Sequence, residues 1–124
     1  MTLRVLLVED SRVLAERLRE SLDMLEGVEV VGTVMDESAA VNAAREHQVD
    51  VIVLDLQLKE GTGFGVVQRL GKTRPKIIVF TNYMLPEYQR LADSLGIEYF
   101  LNKSRDYERL PQLIQELGES QRTH

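Results

Sequence analysis

Val51-Ile52-Val53-Leu54-Asp55 sets a run of aliphatic residues, mostly β-branched, against a terminal carboxylate. An apolar run this short, with no polar alternation, predicts a strand buried on both faces, as in a parallel sheet covered by helices above and below. Asp55 falls where that strand leaves the sheet. The carboxyl ends of strands are where open parallel sheets bind ligands. Asp55 therefore marks an active site if polar residues from other strand ends converge on it. Alone it is a turn residue.

The flanking sequence alternates strand and helix signals, with no internal repeat. Leu3–Val8 reads as a first strand ending in Glu9-Asp10-Ser11, followed by a helical stripe of Leu14, Leu18, Leu22 and Leu25. Ser11 suits the N-cap of that helix and Gly27 its end. Val28–Val34 reads as a second strand with Val28, Val30 and Val34 on one face. Asp36 or Ser38 caps a second helix over residues 39–47, carrying Ala40, Val41 and Ala44. Beyond Asp55, Gly61 and Gly63 make a loop, and a third helix over 64–70 ends at Gly71. Residues 76–80 form the next apolar strand, and Pro86 suits the first position of a fourth helix with Tyr88, Leu91, Ala92 and Leu95, stopping at Gly96. Residues 97–101 are a fifth strand ending in Asn102-Lys103-Ser104. Asp106 caps a last helix with Tyr107, Leu110, Leu113, Ile114 and Leu117, closed by Gly118. Pro111 lies in its first turn, where it is tolerated.

Strands alternating with helices give right-handed βαβ units and a parallel sheet between two helical layers. The expected class is α/β, a flavodoxin-like (βα)5 three-layer sandwich with strand order 2-1-3-4-5. Residues 1–118 form one domain, and 119–124 a polar tail.

Bulk properties narrow the function. The 124 residues are 44% hydrophobic and 28% charged, an ordinary globular composition large enough for a core. Lys and Arg number 15 against 20 Asp and Glu, a net charge of -5, which argues against direct nucleic-acid binding. With no Cys there is neither a disulfide nor a thiolate metal site. No stretch is long and apolar enough for a signal peptide core or a membrane span, so a cytoplasmic location is expected.

The strand ends carry the chemistry. Glu9 and Asp10 follow the first strand, Asp55 the third, Thr81 the fourth and Lys103 the fifth. Singly, the first pair could complement a helix dipole, Thr81 could be a loop hydroxyl and Lys103 a solvated amine. His47, near a helix end, reads as a surface residue and His124 lies in the tail, neither with a metal role. Those readings do not predict that four of five strands carry such groups to one sheet edge. Crowded carboxylates repel by about 4 kcal/mol per pair at ~4 Å and an effective dielectric of 20, which a divalent cation removes. An all-oxygen set suits Mg²⁺ or Mn²⁺. Asp attacks phosphorus to give an aspartyl phosphate, and such transfer needs mainly positioning and charge neutralisation.

In order and spacing, Leu6-Leu7-Val8-Glu9-Asp10-Ser11, Val53-Leu54-Asp55-Leu56 with Gly63, Val79-Phe80-Thr81 and Phe100-Leu101-Asn102-Lys103 resemble the receiver domain of two-component response regulators. The resemblance spans essentially the whole chain. It implies Asp55 as phosphoacceptor, Asp10 as a direct Mg²⁺ ligand, Glu9 acting through water, and the Gln57 backbone carbonyl as a further ligand. Thr81 matches the switch hydroxyl, Lys103 the lysine that contacts a phosphate oxygen, and Phe100 the switch aromatic. It implies a phosphorylated regulatory domain rather than an enzyme. The expected partners are a histidine kinase or histidine phosphotransfer protein, a downstream protein target or an output domain, and a phosphorylation-linked second copy. The chain is read as a stand-alone receiver or a piece of a longer regulator, with Met1 favouring a natural start.

Several positions depart from the family pattern. Leu58-Lys59 stands where Met-Pro or Leu-Pro is common, Asn82 where a small residue is usual, and Ser104 where proline often follows the lysine. The switch aromatic is Phe rather than Tyr. Three rival readings remain. A haloacid dehalogenase type phosphatase wants an Asp where Gln57 stands. A flavodoxin-like FMN binder is opposed by the acids at the switch point. The third is a degenerate receiver that binds partners without phosphorylation.

Overall fold

The computed structural model describes residues 2–122. Met1 and His124 lie outside them. Ten elements alternate: β1 (Leu3–Val8), α1 (Arg12–Asp23), β2 (Val28–Val34), α2 (Glu37–Glu46), β3 (Val51–Leu54), α3 (Gly63–Leu70), β4 (Lys76–Thr81), α4 (Pro86–Ser94), β5 (Tyr99–Asn102) and α5 (Arg109–Arg122). The strands form one parallel sheet in the order β2-β1-β3-β4-β5, as the alternation predicts. β1 and β3 are adjacent, with Val8 opposite Leu54. Crossovers leave in opposite directions from this pair, which opens the crevice where such sheets bind ligands.

The core has two halves, one on each side of the sheet. On one side Leu18 and Leu22 of α1 and Leu110 and Ile114 of α5 meet Val5, Leu7, Val53, Ile78 and Phe80. On the other, Ala40 and Val41 of α2, Val66 and Val67 of α3 and Ala92 of α4 meet Leu6, Val8, Ile52, Leu54 and Val79. The four residues of β3 are all buried because both halves close over them.

Local signals explain most boundaries. The Ser11 hydroxyl accepts the Leu14 N–H at 3.3 Å, and the Asp36 carboxylate accepts the Ala39 N–H at 2.8 Å. Pro86 opens α4. Gly71 follows α3 with a φ of 76°.

Four expectations are corrected. α2 begins at Glu37 and ends at Glu46, because Asp36 rather than Ser38 caps it. In β2 the register slips between Val5 and Leu6, so Val30 and Gly32 face consecutive partners on β1. This bulge inverts the alternation. Val28 and Val30 pack with one half of the core and Val34 with the other, rather than all on one face. Asp106 does not cap α5. It is buried, accepts the Asn102 N–H at 2.9 Å, and braces the turn before a helix that starts at Arg109. Finally, α5 does not end at Gly118 but runs on to Arg122, so the expected polar tail is helical that far. Gly118 is buried and continues the inward row of Leu110 and Ile114 at four-residue spacing, which outweighs its cost of about 1 kcal/mol within a helix.

Candidate functional site

Ladder hydrogen bonds run past the ends of the strands and carry the polar residues with them. The Asp55 N–H donates to the Val8 carbonyl at 3.0 Å, the Glu9 N–H to Val34 at 2.9 Å, and the Lys103 N–H to Thr81 at 3.0 Å. Each residue that follows an apolar strand is thus fixed at the same edge. Glu9 is 3% exposed, Asp55 4% and Thr81 0%, whereas Asp10 is exposed.

Glu9, Asp10 and Asp55 each offer a carboxylate oxygen, all within 4.8 Å of one another. Lys103 reaches in from β5. Its Nζ lies 2.6 Å from Glu9 Oε1 and 2.8 Å from Asp55 Oδ2. The remaining Glu9 oxygen accepts the Ser11 N–H at 2.9 Å, and Asp55 Oδ1 accepts the Gln57 N–H at 3.3 Å. Burial pushes the Glu9 carboxyl up to about 7, against the opposing pull of Lys103 and the Ser11 N–H. Burial would lower the Lys103 ammonium, but hydrogen bonds to Asp55 and Glu9 outweigh it and hold the pKa above its ordinary value. One ammonium faces three acids, so the cluster keeps an excess of negative charge.

That donor set fits a hard divalent cation. Every available ligand atom is an oxygen, and the exposure of Asp10 leaves room for water, as Mg²⁺ and Mn²⁺ require. Gln57 is positioned by its own N–H bond to Asp55 and by a bridge to Thr62 across the loop.

The remaining expected residues surround the acids. The Thr81 hydroxyl accepts the Tyr83 N–H at 3.1 Å. Its own proton remains available to a second acceptor. Phe100 is half-buried in the core half beneath α4, while Tyr99 packs on the opposite side. Asn82 and Ser104, both departures from the family pattern, meet each other. The Ser104 hydroxyl donates to Asn82 Oδ1 at 3.3 Å. No cis peptide occurs among the described residues, so Lys103–Ser104 is trans, as the absence of proline predicts. His47 is an exposed residue at the end of α2.

Two residues at the site had no signal in the sequence. The Tyr83 hydroxyl donates to Gln57 Oε1 at 2.9 Å, linking the loop after β4 to the loop after β3. Glu37, at the start of α2, accepts the Thr62 N–H at 3.0 Å.

The family model of the response regulator receiver domain matches residues 5–115. The chain belongs to that family. The receiver is 28% identical over 120 residues to the transcriptional regulatory protein DesR of Bacillus subtilis (strain 168), covering 97% of this chain and 60% of that protein. It is similar to the REC domain of AraT, a response regulator from Geobacillus stearothermophilus (TM-score 0.84, 29% identity, 99% of this chain and 98% of that one). It is also similar to a LuxR family two-component response regulator from Aurantimonas sp. SI85-9A1 (TM-score 0.85, 26% identity, 97% and 87% covered). The receiver spans 60% and 61% of the length of the two Bacillus subtilis regulatory proteins it matches. No described helix is long and apolar enough to cross a membrane.

Proposed function

We propose that Asp55 accepts a phosphoryl group from the phosphohistidine of a histidine kinase or a histidine phosphotransfer protein. The observation that carries this is the contact of Lys103 Nζ, 2.8 Å from the buried Asp55 carboxylate, inside a cluster of three acids. An Asp55 oxygen forms the new O–P bond as the P–N bond breaks, and the electron pair returns to the imidazole nitrogen. Lys103 neutralises charge on the transferring oxygens, and the Thr81 hydroxyl donates to another of them. Asp10, Asp55, Glu9 through water and the Gln57 carbonyl would hold Mg²⁺, which supplies further charge neutralisation at the phosphoryl group.

The same contacts supply the switch. A ligand shifts a two-state equilibrium only through its differential affinity for the states. Thr81 moves toward the phosphoryl group and Phe100 fills the space behind it, altering the surface of α4, β5 and α5. That surface is read by a downstream protein, an attached output domain or a second copy, in the cytoplasm. The excess of acidic residues favours protein targets over direct contact with nucleic acid.

Incubation with acetyl phosphate and Mg²⁺, followed by intact mass measurement, tests the reading. One phosphoryl group is expected on the native chain, and none without Mg²⁺ or in Asp55→Asn. A native chain that takes up neither phosphoryl nor beryllofluoride would leave a receiver that binds partners unphosphorylated.

A further inference from the structure

The loop that carries Gln57 is held from outside by one carboxylate. Glu37 Oε1 accepts the Thr62 N–H at 3.0 Å, and Oε2 meets Arg69 Nη1 at 3.3 Å. The Glu37 N–H donates to the Glu60 carbonyl at 3.0 Å, and the Lys59 N–H to Met35 at 3.3 Å. The start of α2 therefore lies along the whole second half of this loop. The fit is close. A Cβ built on Gly61 would fall 2.4 Å from the Glu37 Cβ, and one on Gly65 would fall 2.1 Å from Glu37 Oε1. Two glycines thus leave the space in which this side chain lies. The Thr62 N–H lowers the Glu37 pKa below its ordinary range, so the carboxylate is charged at neutral pH. Thr62 in turn bridges Gln57, and Gln57 binds Asp55 Oδ1 through its N–H.

We infer that Glu37 is a positioning residue for the phosphorylation site, locking the 57–62 loop through Thr62 so that the Gln57 carbonyl stands ready for Mg²⁺. Lys59 occupies the loop position where proline would have stiffened the chain, and the Glu37 contacts supply that stiffness from a neighbouring element. This inference rests on the phosphoacceptor reading and deepens it.

Titration of the full chain with Mg²⁺, followed by backbone amide shifts, gives the metal affinity of each variant, and hydrogen exchange at the Thr62 amide gives loop order. Glu37→Ala is expected to weaken Mg²⁺ binding about tenfold, as loss of a residue that orients a metal ligand does, and to speed Thr62 exchange. Glu37→Gln keeps an oxygen acceptor for Thr62 and should stay near the native affinity. Gly65→Ala displaces the same carboxylate and should weaken Mg²⁺ too, but with less added effect in the Glu37→Ala background. If Glu37→Ala fails to fold, Gly65→Ala still decides. Native Mg²⁺ affinity in either variant, with the wild type binding Mg²⁺, overturns the role of Glu37 alone. A wild type that does not bind Mg²⁺ overturns the phosphoacceptor reading and this inference with it.

Discussion

Lys103 places a single positive charge between two buried carboxylates, and Glu9 bears the consequence. The Glu9 carboxyl titrates near 7 instead of 4.5 because burial penalises its charged form. Between those values the folded protein keeps a proton that the unfolded chain has released, so stability falls as pH rises through the window. The Lys103 shift lies above its ordinary 10.5 and leaves the window untouched. Urea unfolding without metal should therefore show a loss on the order of 3 kcal/mol between pH 4.5 and 8, using 1.36 kcal/mol per pKa unit, and Glu9→Gln should flatten that slope. An equal slope in the variant would mean that another group sets it. That Lys103, Glu9 and Asp55 lie at one edge of the sheet was legible because each follows a strand end. Their pairing was not, because it depends on side-chain reach across the sheet. Nor was the part played by Tyr83 and Glu37, whose partners Gln57 and Thr62 are remote in sequence.

At the scale of the element, the loop and helix after β3 are placed by close backbone packing. Gly63 begins α3 with its N–H 3.0 Å from the Leu56 carbonyl, and an added Cβ would fall 2.4 Å from the Asp55 carbonyl oxygen. Backbone cannot yield as a flexible side chain would. Gly63→Ala should cost about 1–3 kcal/mol in chemical denaturation and shift the amide signals of Asp55 and Gln57. Retention of native stability and spectra would show that α3 can move without disturbing β3 and Asp55. The start of α1 was readable because Ser11 caps it locally, whereas α2 offered both Asp36 and Ser38 and only packing chose Asp36. The bulge in β2 was not predicted, although Val30-Val31-Gly32 breaks the alternation there, because pairing with β1 decides where the register slips. The extension of α5 past Gly118 was hidden for a related reason. A glycine reads as a stop in sequence, but here it is buried within the helix.

For the whole molecule, a cation shared by residues that follow β1 and β3 would tie together strands adjacent in the sheet but distant along the chain. Ligand that binds only the folded state stabilises it by mass action, about 2.7 kcal/mol at a hundredfold excess over Kd. Thermal melts should rise with Mg²⁺ concentration and fall on chelation, and Asp10→Asn should lose most of the rise. A melting temperature indifferent to Mg²⁺ would argue that the acid cluster holds no metal in the folded chain. The sheet is held by apolar contacts, with both halves of the core closing over β3.

By itself the sequence determined the alternation of strands and helices, the parallel sheet and the edge at which Glu9, Asp10, Asp55, Thr81 and Lys103 gather. These depend on hydrophobic period, caps and turns, which act over a few residues and are written locally. Tertiary structure decided which carboxylates share Lys103, which face of the sheet Val34 joins, and how Glu37 and Tyr83 reach the loop beside Asp55. Those outcomes depend on distances across the fold, and only packing of the whole chain sets them.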